Sequence, residues 1–115
     1  IVGAIDRVNL ARACSRSLEE VARGLAELAS QLDLDWLAAA IGRLPAGNRW
    51  QARARARLAA ELTELRQHLL RQVLGGRLPA TPAAAGVLEE MRLNEPQDLA
   101  MLSAGLAEIR RVMGC

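Results

Sequence analysis

The residues in this chain best suited to chemistry lie close together. Arg49, Trp50, Arg53, Arg55 and Arg57 follow a break at Pro45 and Gly47. Arg49, Arg53 and Arg57 recur at four-residue steps, so on a helix they share one face. From Trp36 to Ala60 there are five arginines, with Arg43 the fifth, and no acidic residue. Such a stripe can contact phosphates, hold another anion, or pair with carboxylates on a neighbouring surface. The net charge of the whole chain is only +2. Nucleic-acid modules are strongly basic, and no stacking platform accompanies these arginines. Nucleic acid is therefore not the expected partner. Arg49, Arg53 and Arg57 stand as interface or anion contacts, and Glu19, Glu20, Asp33 and Asp35 are acidic candidates to balance them.

No other constellation assembles a site. His68 is the single histidine, and a general base needs a nucleophile or an orienting partner. Ser103 and Cys14 exist, but no spacing links them to it. Cys14 and Cys115 are 101 positions apart (115 − 14), with no CxxC and no metal-ligand spacing. They read as reduced, incidental thiols of a cytoplasmic protein. Gly75-Gly76 matches neither a dinucleotide nor a P-loop pattern and reads as a helix stop. No catalytic, cofactor-binding or metal-ligating residue is assigned.

The elements that would position these residues are helices. Apolar residues make up 51% of the chain, yet aromatics make up only 2%, with no Phe and no Tyr. The core must be Leu, Ala, Val and Ile, with Trp36 and Trp50 as its only large anchors. Ala and Leu are strong helix formers, and alternating β-branched strands are missing. With 115 residues, one domain is expected. All 15 basic residues are Arg, which reads as a composition bias rather than a device. No run reaches the roughly 18 apolar residues of a membrane span.

Helical periodicity predicts an all-α bundle of about six helices. The first covers Ile1 to Ala13. The second follows a Ser17–Glu20 capping box and runs to about Gln31, with Leu18, Val21, Leu25 and Leu28 on one face. Asp33 or Asp35 caps a third, carrying Trp36, Leu37 and Ile41. Asn48 with Gln51 forms another capping box and opens one long central helix, about 48–74. Its ridge is Trp50, Ala54, Leu58, Leu62, Leu65, Leu69 and Val73. Arg57 and Glu61 can pair at i,i+4 along it. Leu70 and Leu74 widen this stripe, either internally or toward a partner. Thr81 followed by Pro82 starts a fifth helix, to about Arg92, with Val87, Leu88 and Met91 apolar. The last runs from about Pro96 to Met113, with Leu99, Leu102, Leu106, Ile109 and Met113 inward.

Three stretches carry a resemblance. LDLDWLAAAIGRLPAGNRWQARARARL (32–58), AAELTELRQHLLRQVL (59–74) and DLAMLSAGLAEIRRV (98–112) resemble the C-terminal helical region of the large bacterial NAD-specific glutamate dehydrogenases. The SLEEVA segment at 17–22 also fits. The most specific pieces are LDWL, LP-x-x-NRWQA-x-AR and DLAMLS. The resemblance implies a parent enzyme that oxidises L-glutamate to 2-oxoglutarate and ammonia with NAD as cofactor. It also implies that the dinucleotide fold and the substrate lysine lie upstream, so no cofactor is expected in this fragment. Family members often carry aromatics in the second and fourth helices, where this chain has Leu, Ala or Thr. The chain opens at Ile1 in mid-pattern, and a longer polypeptide is expected before it. The expected partners are the catalytic domain of the same chain and other subunits of a homo-oligomer. The alternative is an independent helical adaptor that binds nucleic acid or protein through its Arg-rich face.

Overall fold

The computed structural model describes residues 18–77, 79, 81–94 and 98–115. These form five helices and, among the described residues, no strand. Helix α1 spans 18–31, α2 Leu34–Gly42, α3 Arg49–Leu74, α4 Pro82–Leu93 and α5 Leu99–Val112. The helix expected over Ile1 to Ala13, the Ser17 side of the first capping box, Cys14 and Pro96 lie outside the described residues.

The helix boundaries follow from local chemistry. Asp33 caps α2, its carboxylate accepting the Trp36 N–H at 2.9 Å. Asn48 caps α3 by accepting from the Gln51 N–H at 2.9 Å. The return bond of that box is shifted by one residue. Gln51 Oε1 accepts the Gly47 N–H at 3.0 Å, so the loop itself is tied to the helix. At its other end α3 closes in a Schellman turn: the Gly76 N–H reaches Val73 O at 3.0 Å, and the Arg77 N–H reaches Gln72 O at 2.9 Å. Gly76 has φ +79° there, a left-handed conformation that suits glycine. Thr81 precedes α4 and Pro82 opens it, but the threonine hydroxyl makes no cap bond. It is buried and donates instead to Gln31 Oε1, joining the start of α4 to the end of α1. Asp98 caps α5, accepting the Met101 N–H at 2.8 Å.

The 26 residues of α3 make a rod roughly 39 Å long at 1.5 Å per residue. Helices α2 and α5 pack against it, α4 packs on α5, and α1 lies against its C-terminal end, where Gly24 faces Val73. Leu37, Leu65, Leu69, Leu102, Leu106 and Ile109 are fully buried at the centre. Each such side chain contributes about 1.5–3 kcal/mol on leaving water. At Gly105 the approach of α4 and α5 is tight: a Cβ there would stand 2.3 Å from Met91 Sδ. The molecule measures 65 × 30 × 20 Å, with a radius of gyration of 18.3 Å, against about 13 Å for a compact domain of this length.

The expected core is corrected at several places. Trp50 is not an anchor: it is 80% exposed. The ridge of α3 is buried only from Leu58 to Val73, because the rod outruns the core and its first two turns are only partly covered, at Gln51, Ala54 and Arg55. Leu99 is also exposed, as are Leu18 and Leu25 of α1. Trp36 is partly buried against the core. Leu70 and Leu74 face solvent, so they widen the stripe outward rather than inward.

Candidate functional site

The exposed end of α3 and the start of α5 run side by side. Their pairing is fixed along its length. Arg110 of α5 reaches Glu64 of α3 at 3.0 Å, and His68 lies 3.1 Å from Met113 O. A carbonyl can only accept, so the His68 Nε2 carries the hydrogen and donates it. The arginine guanidinium is held above its ordinary pKa by hydrogen bonding at Cys115, then by the charges of Cys115, Glu64 and Glu61, against the opposing effect of burial. Because α5 runs parallel to α3, Leu99 falls beside Trp50 and Leu58, and Ala107 beside Glu61.

Between them lies a groove of about 480 Å³. Ala54 and Leu58 of α3 form its floor, with Leu99, Ser103 and Ala107 as the opposite wall. The small side chains of Ser103 and Ala107, four residues apart, keep it open. Trp50 stands at one end, and Arg53, Arg57 and Glu61 line the α3 side. The groove therefore combines an aliphatic floor, an exposed indole and two guanidinium groups. Trp and Arg of this kind dominate binding energy at protein interfaces.

Two of the four acidic residues expected to balance the arginines, Asp33 and Asp35, are committed elsewhere. Asp35 pairs with Arg66 at 2.9 Å, and Asp33 with Arg92. Of the three candidate contacts, only Arg57 has a carboxylate, Glu61 at 3.5 Å, and its side chain remains 83% exposed. Among the described residues Arg49 and Arg53 have no ion pair. Arg55 turns the other way and donates to Leu44 O at 3.4 Å, fixing the loop before α3. The structure thus gathers Trp50, Arg53 and Arg57 into one groove and leaves Arg49 exposed at its end. Trp36 it places elsewhere, under Arg92 between α2 and α4. The α5 wall was not singled out from the sequence. Its trace there was the pair of small residues interrupting an otherwise leucine-rich stripe.

A second apolar groove, of about 390 Å³, lies between α1, α2 and α3, where Leu25 and Leu70 flank the Asp35–Arg66 pair. No group of three His, Cys, Asp or Glu among the described residues could hold a metal. None of the described helices is long and apolar enough to cross a membrane. A dinucleotide cradle requires a strand entering a glycine-rich helix start. Here the described residues are helices and turns, and Gly75-Gly76 sits at a helix end, so they do not fit NAD.

Compared with models of protein families, residues 1–114 match the one described as "Glutamate dehydrogenase, C-terminal". No curated protein and no solved structure gives a significant match.

Proposed function

The chain belongs to the glutamate dehydrogenase C-terminal family, and from that premise we propose that it is a non-catalytic helical docking module of an NAD-dependent glutamate dehydrogenase. The parent enzyme, bacterial and cytoplasmic, converts L-glutamate, NAD and water to 2-oxoglutarate, ammonia and NADH. The module supports packing on the catalytic domain or assembly of subunits. The observation that carries this reading is the Trp50–Arg53–Arg57 groove on a family-defined helical region. An exposed indole beside two largely solvent-facing guanidinium groups, of which only Arg57 has a carboxylate among the described residues, is a surface built for a partner. The lone histidine is held structurally by the Met113 carbonyl, and Asp33 by Arg92 and the α2 cap.

Deleting residues 1 to 115 from the parent enzyme tests the reading. The expected outcome is a smaller assembly or a lower melting temperature, with glutamate turnover falling as a consequence. Unchanged oligomer size, thermal stability and turnover would overturn it. Arg49 and Arg53, which have no ion pair among the described residues, favour a second reading, a nucleic-acid adaptor. That reading requires binding to a DNA duplex that weakens steeply between low and moderate salt.

A further inference from the structure

The groove has a property that only a second copy of itself fully uses. Along α3 the exposed stripe reads positive and then negative. Arg49, Arg53 and Arg57 occupy the first turns; Glu61, half-buried and paired with Arg57, and Glu64, exposed while it pairs with Arg110, follow. Two such stripes laid antiparallel place the basic half of each against the acidic half of the other. With the two-fold axis near residue 59, Arg57 of one copy faces Glu61 of the second, and the reverse. Ala54 then falls opposite Glu64, so Arg53 comes within reach of the same carboxylates. Closed two-fold pairs are the commonest assemblies, and they require this self-complementarity.

Taking the reading of this region as an assembly module as its basis, we infer that the α3–α5 groove is an isologous interface that pairs two copies of this chain antiparallel through α3. The groove provides the room. Ser103 and Ala107 present little bulk beside Glu61, and the partner's helix enters where Trp50 and Leu99 are exposed at 80% and 40%. Trp50 closes over the partner's α3, covering apolar surface that is otherwise wet. Arg57 and Glu61 are already 3.5 Å apart within one helix. In the pair each Arg57 lies between two carboxylates, its own and the partner's. A nucleic acid fits the groove less well, because Glu61 lines it and would repel phosphate.

Charge exchange tests the register. The 115-residue chain is expected to self-associate reversibly in sedimentation equilibrium, more weakly at high salt. Trp50→Ala should weaken association by about tenfold or more, as for an interface hot spot. Arg57→Glu and Glu61→Arg should each remain monomeric at concentrations where the parent chain dimerises, with helix content by circular dichroism unchanged. Mixed in equal amounts, the two variants should form a heterodimer. In that complex the first variant carries carboxylates at both exchanged positions and the second carries guanidinium groups at both, so each carboxylate faces a guanidinium across the two-fold axis. Repair of the i,i+4 pair within a helix cannot produce this result, since neither variant contains it. A parent chain that stays monomeric at high concentration and low salt overturns the inference, as do variants that fail to pair when mixed. A monomer that instead retains a DNA duplex overturns it in favour of phosphate contact. Loss of the parent enzyme's assembly on deletion, without self-association of this chain, overturns the two-fold register and leaves the docking role intact.

Discussion

The guanidinium of Arg92 lies over the Trp36 ring, 5.2 Å from its centroid. The same guanidinium binds the carboxylate of Asp33, which also caps α2. One arginine thus fastens α4 to both the start and the first turn of α2. Arg92→Lys keeps the charge but loses the planar fork and its stacking. Both partners are part-exposed, so screening reduces the ion pair. Arg92→Ala should lower stability by about 1–2 kcal/mol and Arg92→Lys by roughly half of that, mainly through the ring contact, with a smaller share from the part-exposed pair. Chemical denaturation of the two variants checks the order; a lysine variant as unstable as the alanine one would mean the charge counts for nothing.

The two tryptophans should separate cleanly by solvent access. Trp50 is exposed and Trp36 half-buried under Arg92. At concentrations where the chain is monomeric, the Trp36→Phe variant, which reports Trp50 alone, should be quenched by acrylamide like a free indole. The Trp50→Phe variant should resist. In stability, Trp50→Ala should fall within about 0.5 kcal/mol of the parent. Leu65→Ala, at the fully buried centre of α3, should cost about 2–5 kcal/mol.

Glycines supply a second contrast. Gly86 lies exposed within α4, and a Cβ there would meet nothing within 4 Å. Gly86→Ala should stabilise by about 0.5–1 kcal/mol, through lower chain entropy in the unfolded state. Gly76, at φ +79° in the turn after α3, should respond oppositely. Gly76→Ala should cost about 1–2 kcal/mol, the left-handed penalty of an L residue. Thermal melts of both variants measure the difference in sign.

Gly105 and Met91 should behave as a coupled pair. A Cβ on Gly105 would overlap three atoms of the Met91 side chain, and that side chain is buried. Gly105→Ala alone should destabilise by about 1–3 kcal/mol through overpacking. With Met91→Ala the clash is gone, and the same change should become neutral or stabilising, since Ala is the better helix former. A double-mutant cycle gives the coupling energy; additive effects would show that the helices separate freely.

One carboxylate is tuned at the surface. The hydrogen bond from Arg111 holds Glu108 below its ordinary pKa, with the Arg111 charge adding to this and slight desolvation opposing it. A depressed folded-state pKa stabilises the fold above the unfolded value, and this contribution is lost as pH falls through the folded one. The stability gap between the parent chain and Glu108→Gln should therefore shrink as pH falls from about 5, just above the ordinary glutamate value, toward 3. The effect is small, because the pair is exposed and screened by salt.

Helices α1 to α4, the caps at Asp33 and Asn48 and the leucine ridge from Leu58 to Val73 were legible from periodicity and capping chemistry, because both are local; the Asp98 cap of α5 was not, since that helix was expected from Pro96. Asp33, Asn48 and the Gly75-Gly76 stop act within a turn or two of themselves. The position of Trp50 was not legible. Its four-residue step from Ala54 continues the buried ridge, and only the length of α3 relative to its neighbours shows that the ridge outruns the core. Thr81 was placed correctly before α4, yet its hydroxyl serves α1 instead of the cap, a choice made by a residue fifty positions away. The groove depended on which helix lies beside α3, and in which direction. Arg110–Glu64 and His68–Met113 decide that, and no spacing in the sequence encodes it.

Helix α3 also has a mechanical meaning. It is buried in the core from Leu58 to Val73 and only lightly held over its first two turns, by Arg55 on Leu44 O, so it is built as a cantilever. From Leu58 to Trp50 the arm measures roughly 12 Å at 1.5 Å per residue. A tilt of about 5° at the grip would carry the indole about 1 Å, roughly twice the thermal amplitude of a well-packed side chain along one axis. Small repacking among Leu65, Leu106 and Ile109 would thus be magnified at the tip, and a load applied to Trp50 would be felt as torque on the core.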